Sequence, residues 1–234
     1  MTNDLRRLTF RHGALFVDRK DAGKMLAASL TEYRGQNALV LGIPRGGVPL
    51  AAEVAEAIEG ELDVIVARKL GAPGSPELAI GAVTSNGGRY LNDRLIEEIG
   101  VSNDYLQRIA AAEMDEAHRR ETKFREDRPA PKIEGRTVIV VDDGLATGAT
   151  MRASVRSVLK SAPAKLIVAV PVGSRAACES LEAEADEVVC LNRPEAFFGI
   201  GEFYEYFDPT EDEEVQRILS EFRARKRAER SAQH

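Results

Sequence analysis

The chain predicts an α/β protein: a doubly wound five-stranded parallel sheet with a helical insert and a small C-terminal hood. Three observations predict it. Short apolar runs at 38–43, 62–67, 137–141, 165–170 and 187–191 alternate with stretches of helical periodicity, the order that crossover helices impose on a parallel sheet. Runs at 38–43 and 137–141 lead into glycine-containing loops that open helices, and such sheets bind ligands beyond the strand C-termini. The run 137–141 is wholly β-branched, as suits a strand buried on both faces.

In chain order, 19–33 reads as an amphipathic helix with Met25, Leu26 and Leu30 on one side. Strand 38–43 is followed by Pro44-Arg45-Gly46-Gly47 and a helix over 48–58. Residues 68–136 exceed a minimal sheet. They comprise a breaker-rich flexible loop at 71–78, a hairpin near 79–91 and, within a 92–130 helical insert, a charged helix over 103–125 capped by Ser102. Helices at 151–161 and 174–184 link the last three strands. Residues 192–209 are aromatic and irregular, the candidate hood. A C-terminal helix and basic tail fill 210–234, with Thr210 and Glu213 as a capping box. One domain of 234 residues accommodates all of this.

Composition narrows the function. A formal net charge of −6 argues against nucleic acid as a partner. The basic run Arg223-Ala224-Arg225-Lys226-Arg227, continuing to Arg230, ends a helix that begins with acids, so it reads as a solvated helix end matched to the dipole. No apolar run reaches the ~20 residues of a membrane span. Met1 to Arg11 lacks the apolar core of a secretory signal. Cys178 and Cys190 read as unpaired buried thiols of a cytoplasmic protein. His12, His118 and His234 lie too far apart to suggest a metal cluster.

The segment 138–150 carries the chemistry. Its strand runs into Asp142 and Asp143, adjacent acceptors suited to vicinal ribose hydroxyls. Gly144, Ala146, Thr147, Gly148, Ala149 and Thr150 then form a turn whose amides, hydroxyls and helix N-terminus suit a phosphate. A Walker loop and a dinucleotide loop are both excluded by the residues after Val141. In the loop after the first strand, Gly46 and Gly47 let amides approach an anion, and Arg45 adds a forked cation. Arg68 and Lys69 follow the second strand at the corresponding place.

These residues resemble the type I phosphoribosyltransferases, whose phosphoribosyl-pyrophosphate (PRPP) motif is a hydrophobic strand, two acids and a Thr-Gly-x-Thr loop. The resemblance implies transfer of the 5-phosphoribosyl group to a nitrogen of a nucleobase or related heterocycle, releasing pyrophosphate. It implies Mg2+ as cofactor, held directly or through water by Asp142 and Asp143. It makes 44–47 the pyrophosphate loop, often entered by a non-proline cis peptide, here between Pro44 and Arg45. Arg45 and Lys69 become the catalytic cations, with Arg68 pointing away, and 71–78 the loop that covers the site. Phe197, Phe198 and Tyr204 in the hood are candidates to stack on a base; sealing a small core is the plainer reading of the same aromatics. One departure stands out: the hypoxanthine-type enzymes carry an aspartate where this chain has Ala146, so any acid or base comes from elsewhere, with Glu77 a weak candidate.

Two other functions compete. A non-catalytic regulator could bind PRPP or a nucleotide with the same phosphate loop, although it could dispense with Arg45 and Lys69. RNA could bind the basic tail, which the overall acidity disfavours. The sequence leaves the acceptor and a homodimer open.

Overall fold

A computed structural model describes residues 14–232; Met1–Arg11, His12 and His234 lie outside the described residues. In chain order the elements are α1 (Arg19–Ala28), β1 (Leu39–Gly42), α2 (Gly47–Ala57), β2 (Glu61–Val64), β3 (Ala67–Ala72), β4 (Ser75–Thr84) and β5 (Arg89–Leu91). There follow α3 (Asp93–Glu98), α4 (Asn103–Arg125), β6 (Thr137–Val141), α5 (Ala149–Leu159), β7 (Lys165–Val172), α6 (Arg175–Glu182), β8 (Glu187–Asn192) and α7 (Asp212–Ala232).

The expected five-stranded sheet is present, all parallel, in the order β2-β1-β6-β7-β8. Successive residues of each strand point to opposite faces. Val40, Ile139 and Ile167 therefore enter a core built with α1, α2 and α7. Leu41, Val140 and Val168 enter a second core against Met151, Val155 and Val158 of α5 and Leu181 of α6. Burial on both faces is why these strands read as unbroken apolar runs.

Several expectations need correction. The run at 62–67 is not one strand: β2 ends at Val64, and the chain turns into β3 of a separate antiparallel sheet, β3-β4-β5. The covering loop at 71–78 is the tip of the β3–β4 hairpin, closed at Pro73 and Gly74, where Gly74 takes φ +72°. The hairpin near 79–91 exists, but β4 begins earlier, at Ser75, because its first half pairs with β3. Met25 is exposed, since α1 ends at Ala28 and only Leu26 and Leu30 turn inward. The long insert helix holds at its expected bounds, with Ser102 Oγ accepting from the Tyr105 amide at 3.3 Å. The C-terminal helix starts at Asp212, with the Val215 amide on the Glu211 carbonyl, so Glu211 rather than Thr210 stands at its cap. Cys178 is buried and Cys190 half-buried, both as free thiols, and both sulfurs crowd the space that a Cβ on Gly173 would occupy. Their thiols interact, which pulls Cys178 down to about 7 and pushes Cys190 up.

Candidate functional site

Strands β1 and β6 are neighbours, with Gly42 opposite Val141, so the loops leaving them start side by side. They interlock. A Cβ on Gly46 would overlap Asp143 Oδ2, and one on Gly47 would stand 2.5 Å from the Val141 carbonyl oxygen. Glycine is required at both places by close approach rather than by φ. A cis peptide joins Pro44 to Arg45, as the resemblance implies. The Gly47 amide closes back onto the Ile43 carbonyl at 2.9 Å, whereas the Arg45 and Gly46 amides make no hydrogen bond among the described residues.

On the other loop, the amides of residues 146–150 likewise make none among the described residues. Gly148, at φ +74°, turns the chain into α5 and leaves these donors gathered at the helix start. A run of free amides at a helix N-terminus is the arrangement that takes a phosphate group. Ala146 and Thr147 are exposed, and the Ala146 carbonyl is pinned by Ser174 Oγ at 2.7 Å, which holds the loop open. Thr150 is half-buried at the first turn of α5.

The two aspartates differ. Asp143 is buried and receives Arg19 Nε at 2.9 Å. The same guanidinium donates to the Asp208 carbonyl at 2.6 Å and lies 3.9 Å from the Phe207 ring. Burial pushes the Asp143 carboxyl up and Arg19 pulls it back. Among the described residues Asp142 accepts only its neighbour's amide, at 2.9 Å. Burial, then the charge of Asp143, pushes Asp142 well above the usual carboxylate range, with Arg19 and Lys69 opposing. Asp142 is thus the acid with acceptor capacity to spare.

Lys69 is exposed on β3, makes no ion pair among the described residues, and is near enough for its charge to act on Asp142. Arg68, one residue earlier and so on the other face of the strand, is taken by Glu113 at 2.7 Å. Arg45 is partly exposed and touches Glu211 Oε2 at 3.2 Å and Asp212 Oδ1 at 4.0 Å, at the start of α7.

The hood requires a correction. Tyr204 is only 3% exposed, packs on Phe16 and Phe207, and donates its hydroxyl to the Asp143 carbonyl at 2.7 Å. Burial and the nearby aspartates hold that phenol protonated. It fastens the acidic loop and has no face free for a base. Phe197 packs against Phe203. Phe198, 89% exposed, is the one of the three with an open ring. Sequence reasoning missed Arg19, which lies 124 positions from its partner Asp143, and Ile200, whose side chain fills the space a Cβ on Gly144 would need. No local pattern marks either.

The phosphoribosyl transferase domain model matches residues 18–208, from the start of α1 through the hood. The chain belongs to the phosphoribosyl transferase family. Two Mycobacterium tuberculosis proteins, one from each of two strains, carry the provisional name phosphoribosyl transferase and are 42% identical to this family member over 205 residues. The match takes in 88% of the chain but 46% of theirs, so the chain spans about half the length of these curated relatives. Among solved structures, TT1426 of Thermus thermophilus is similar, at 43% identity and a TM-score of 0.75, covering 88% of this chain and 98% of that one. The matched family span ends at residue 208, before α7 begins at Asp212.

Proposed function

We propose that this chain is a PRPP-dependent phosphoribosyltransferase acting on a nitrogen of a nucleobase or related heterocycle. The observation that carries the reading is the interlock of loops 44–47 and 142–150, each of which carries amides without a hydrogen bond among the described residues. The amides of residues 146–150 would hold the 5′-phosphate. Asp142 would accept from the ribose hydroxyls, and Arg45, Gly46 and Lys69 would hold the pyrophosphate. In the reaction the C1–O bond to pyrophosphate breaks, its electron pair leaving with the pyrophosphate, and a C1–N bond forms. Charge separates between ribose ring and leaving group, so positioning and cations supply the catalysis.

Mg2+ suits this donor set, because a cation beside Asp142 would favour the ionised form that burial and Asp143 disfavour. Among the described residues no cluster of three or more His, Cys, Asp or Glu could cage a metal. The ion would therefore arrive on the phosphates, with Asp142 and Asp143 contributing directly or through water. When bound it would neutralise charge on the departing pyrophosphate.

The regulator reading draws on Arg45, whose guanidinium rests on Glu211 of α7 rather than standing free. Pyrophosphate release from PRPP and Mg2+ across a nucleobase panel separates the two. Release with any one base supports the transferase; tight PRPP binding with no release from any base supports the regulator.

A further inference from the structure

At the opposite end of the sheet from the two loops, beside the start of β2, lies a cavity of about 870 Å³. Its walls come from the end of α2 and the start of β2 on one side, and on the other from the end of α4, the segment after it and the C-terminal half of α7. Three arginines line it close to one another: Arg128, Arg223 and Arg227. One carboxylate serves two of them and leaves the third unpaired. Glu126 is 2.6 Å from Arg128 and 3.5 Å from Arg223, while Arg227 makes no ion pair among the described residues. The acids that line the cavity are engaged elsewhere: Asp63 with Arg125 at 2.9 Å, Glu59 with Arg34 at 2.6 Å, Glu229 with Lys226 at 3.3 Å, Glu56 with Arg225 at 3.4 Å and Glu61 with Arg136 at 2.7 Å.

Arg223 is also ill satisfied. Its Nε and Nη2 are closed off from solvent and make no hydrogen bond among the described residues, Nη2 having only the 3.5 Å ion pair with Glu126, and buried donors of this kind are costly unless something compensates. Burial and the charge of Arg128 push its guanidinium down. Of the run 223–227, read from sequence as a solvated helix end, Arg223 and Lys226 are half-buried while Ala224, Arg225 and Arg227 are exposed. Three guanidiniums against one carboxylate leave an excess of about two positive charges, which matches a phosphate monoester dianion, and guanidinium forks suit its oxygens. Phe222, Leu62 and Pro131 give the same cavity apolar wall, and its volume is that of a site for a small organic ligand.

We propose that this cavity is a second anion site, taking the phosphate group of a small phosphorylated molecule such as a mononucleotide. It does not depend on the transferase reading, since no residue is shared with the first site. The test is hydrogen–deuterium exchange of the full chain with orthophosphate, with adenosine monophosphate and with a single-stranded RNA oligonucleotide. Arg227→Glu serves as the control, because Arg227 is exposed and makes no ion pair among the described residues, so its replacement is expected to leave the fold intact. Both small phosphates are expected to protect segments 125–131 and 218–229. Arg227→Glu should weaken that effect by about tenfold or more, the loss of at least one charge-assisted hydrogen bond, while leaving any protection at 144–152 unchanged. Protection confined to 144–152 overturns the proposal. So does protection of 218–229 that survives Arg227→Glu, or that only the RNA produces.

Discussion

Asp143 binds the site together through three contacts: Arg19 on its carboxylate, Tyr204 on its carbonyl, and the bare Cα of Gly46 against its side chain. Removing one partner of a largely buried ion pair leaves the other charge uncompensated. Asp143→Ala is therefore expected to lose about 3 kcal/mol of stability, measured by denaturant unfolding. A loss under about 1 kcal/mol would show that Arg19 has other compensation. Asp142 has no such structural partner, so Asp142→Asn should melt close to wild type yet bind PRPP at least about tenfold more weakly, one charge-assisted acceptor having been lost. Calorimetry with unchanged PRPP affinity would remove Asp142 from the ribose site. Gly46→Ala should mimic Asp143→Ala, since the new methyl displaces the carboxylate from Arg19.

Among the elements, β3 separates two adjacent cations by strand alternation. Arg68 is spent on Glu113 of α4, whereas Lys69 faces the acids. Lys69→Ala is expected to reduce pyrophosphate release and Arg68→Ala to leave it within about twofold, since a partly exposed ion pair contributes little. Equal losses in the two variants would contradict this placement. The strands of the parallel sheet were legible because burial on both faces leaves no polar position to break the run. The two strand-end loops were legible because paired aspartates, threonines and glycines have no reason to cluster in a plain crossover. The β4–β5 hairpin was legible near 79–91, but β3 and the first half of β4 were hidden, since Gly71, Pro73, Gly74 and Pro76 resemble a loop while their neighbours pair across a bulged ladder. The role of Tyr204 was hidden too: an aromatic that caps a core and one that stacks on a base look alike until its hydroxyl is seen on Asp143.

At the scale of the whole molecule, α7 connects two regions. Its first residues meet Arg45, and its later turns line the arginine cavity. Arg120 and Lys123 of α4 hold the same Asp212 at 2.8 and 3.1 Å, so the helix start is fixed from two sides. Among the described residues no helix is long and apolar enough to cross a membrane. The central claim is that loops 44–47 and 142–150 hold the two ends of one PRPP molecule. It is tested most directly by competition calorimetry with Mg2+ present, using ribose 5-phosphate and pyrophosphate as the two halves. Each half is expected to displace PRPP, and Arg45→Ala should weaken PRPP and pyrophosphate by about tenfold or more while leaving ribose 5-phosphate unchanged. If neither half displaces PRPP, or if Arg45→Ala weakens ribose 5-phosphate as much as pyrophosphate, the two loops do not form one site.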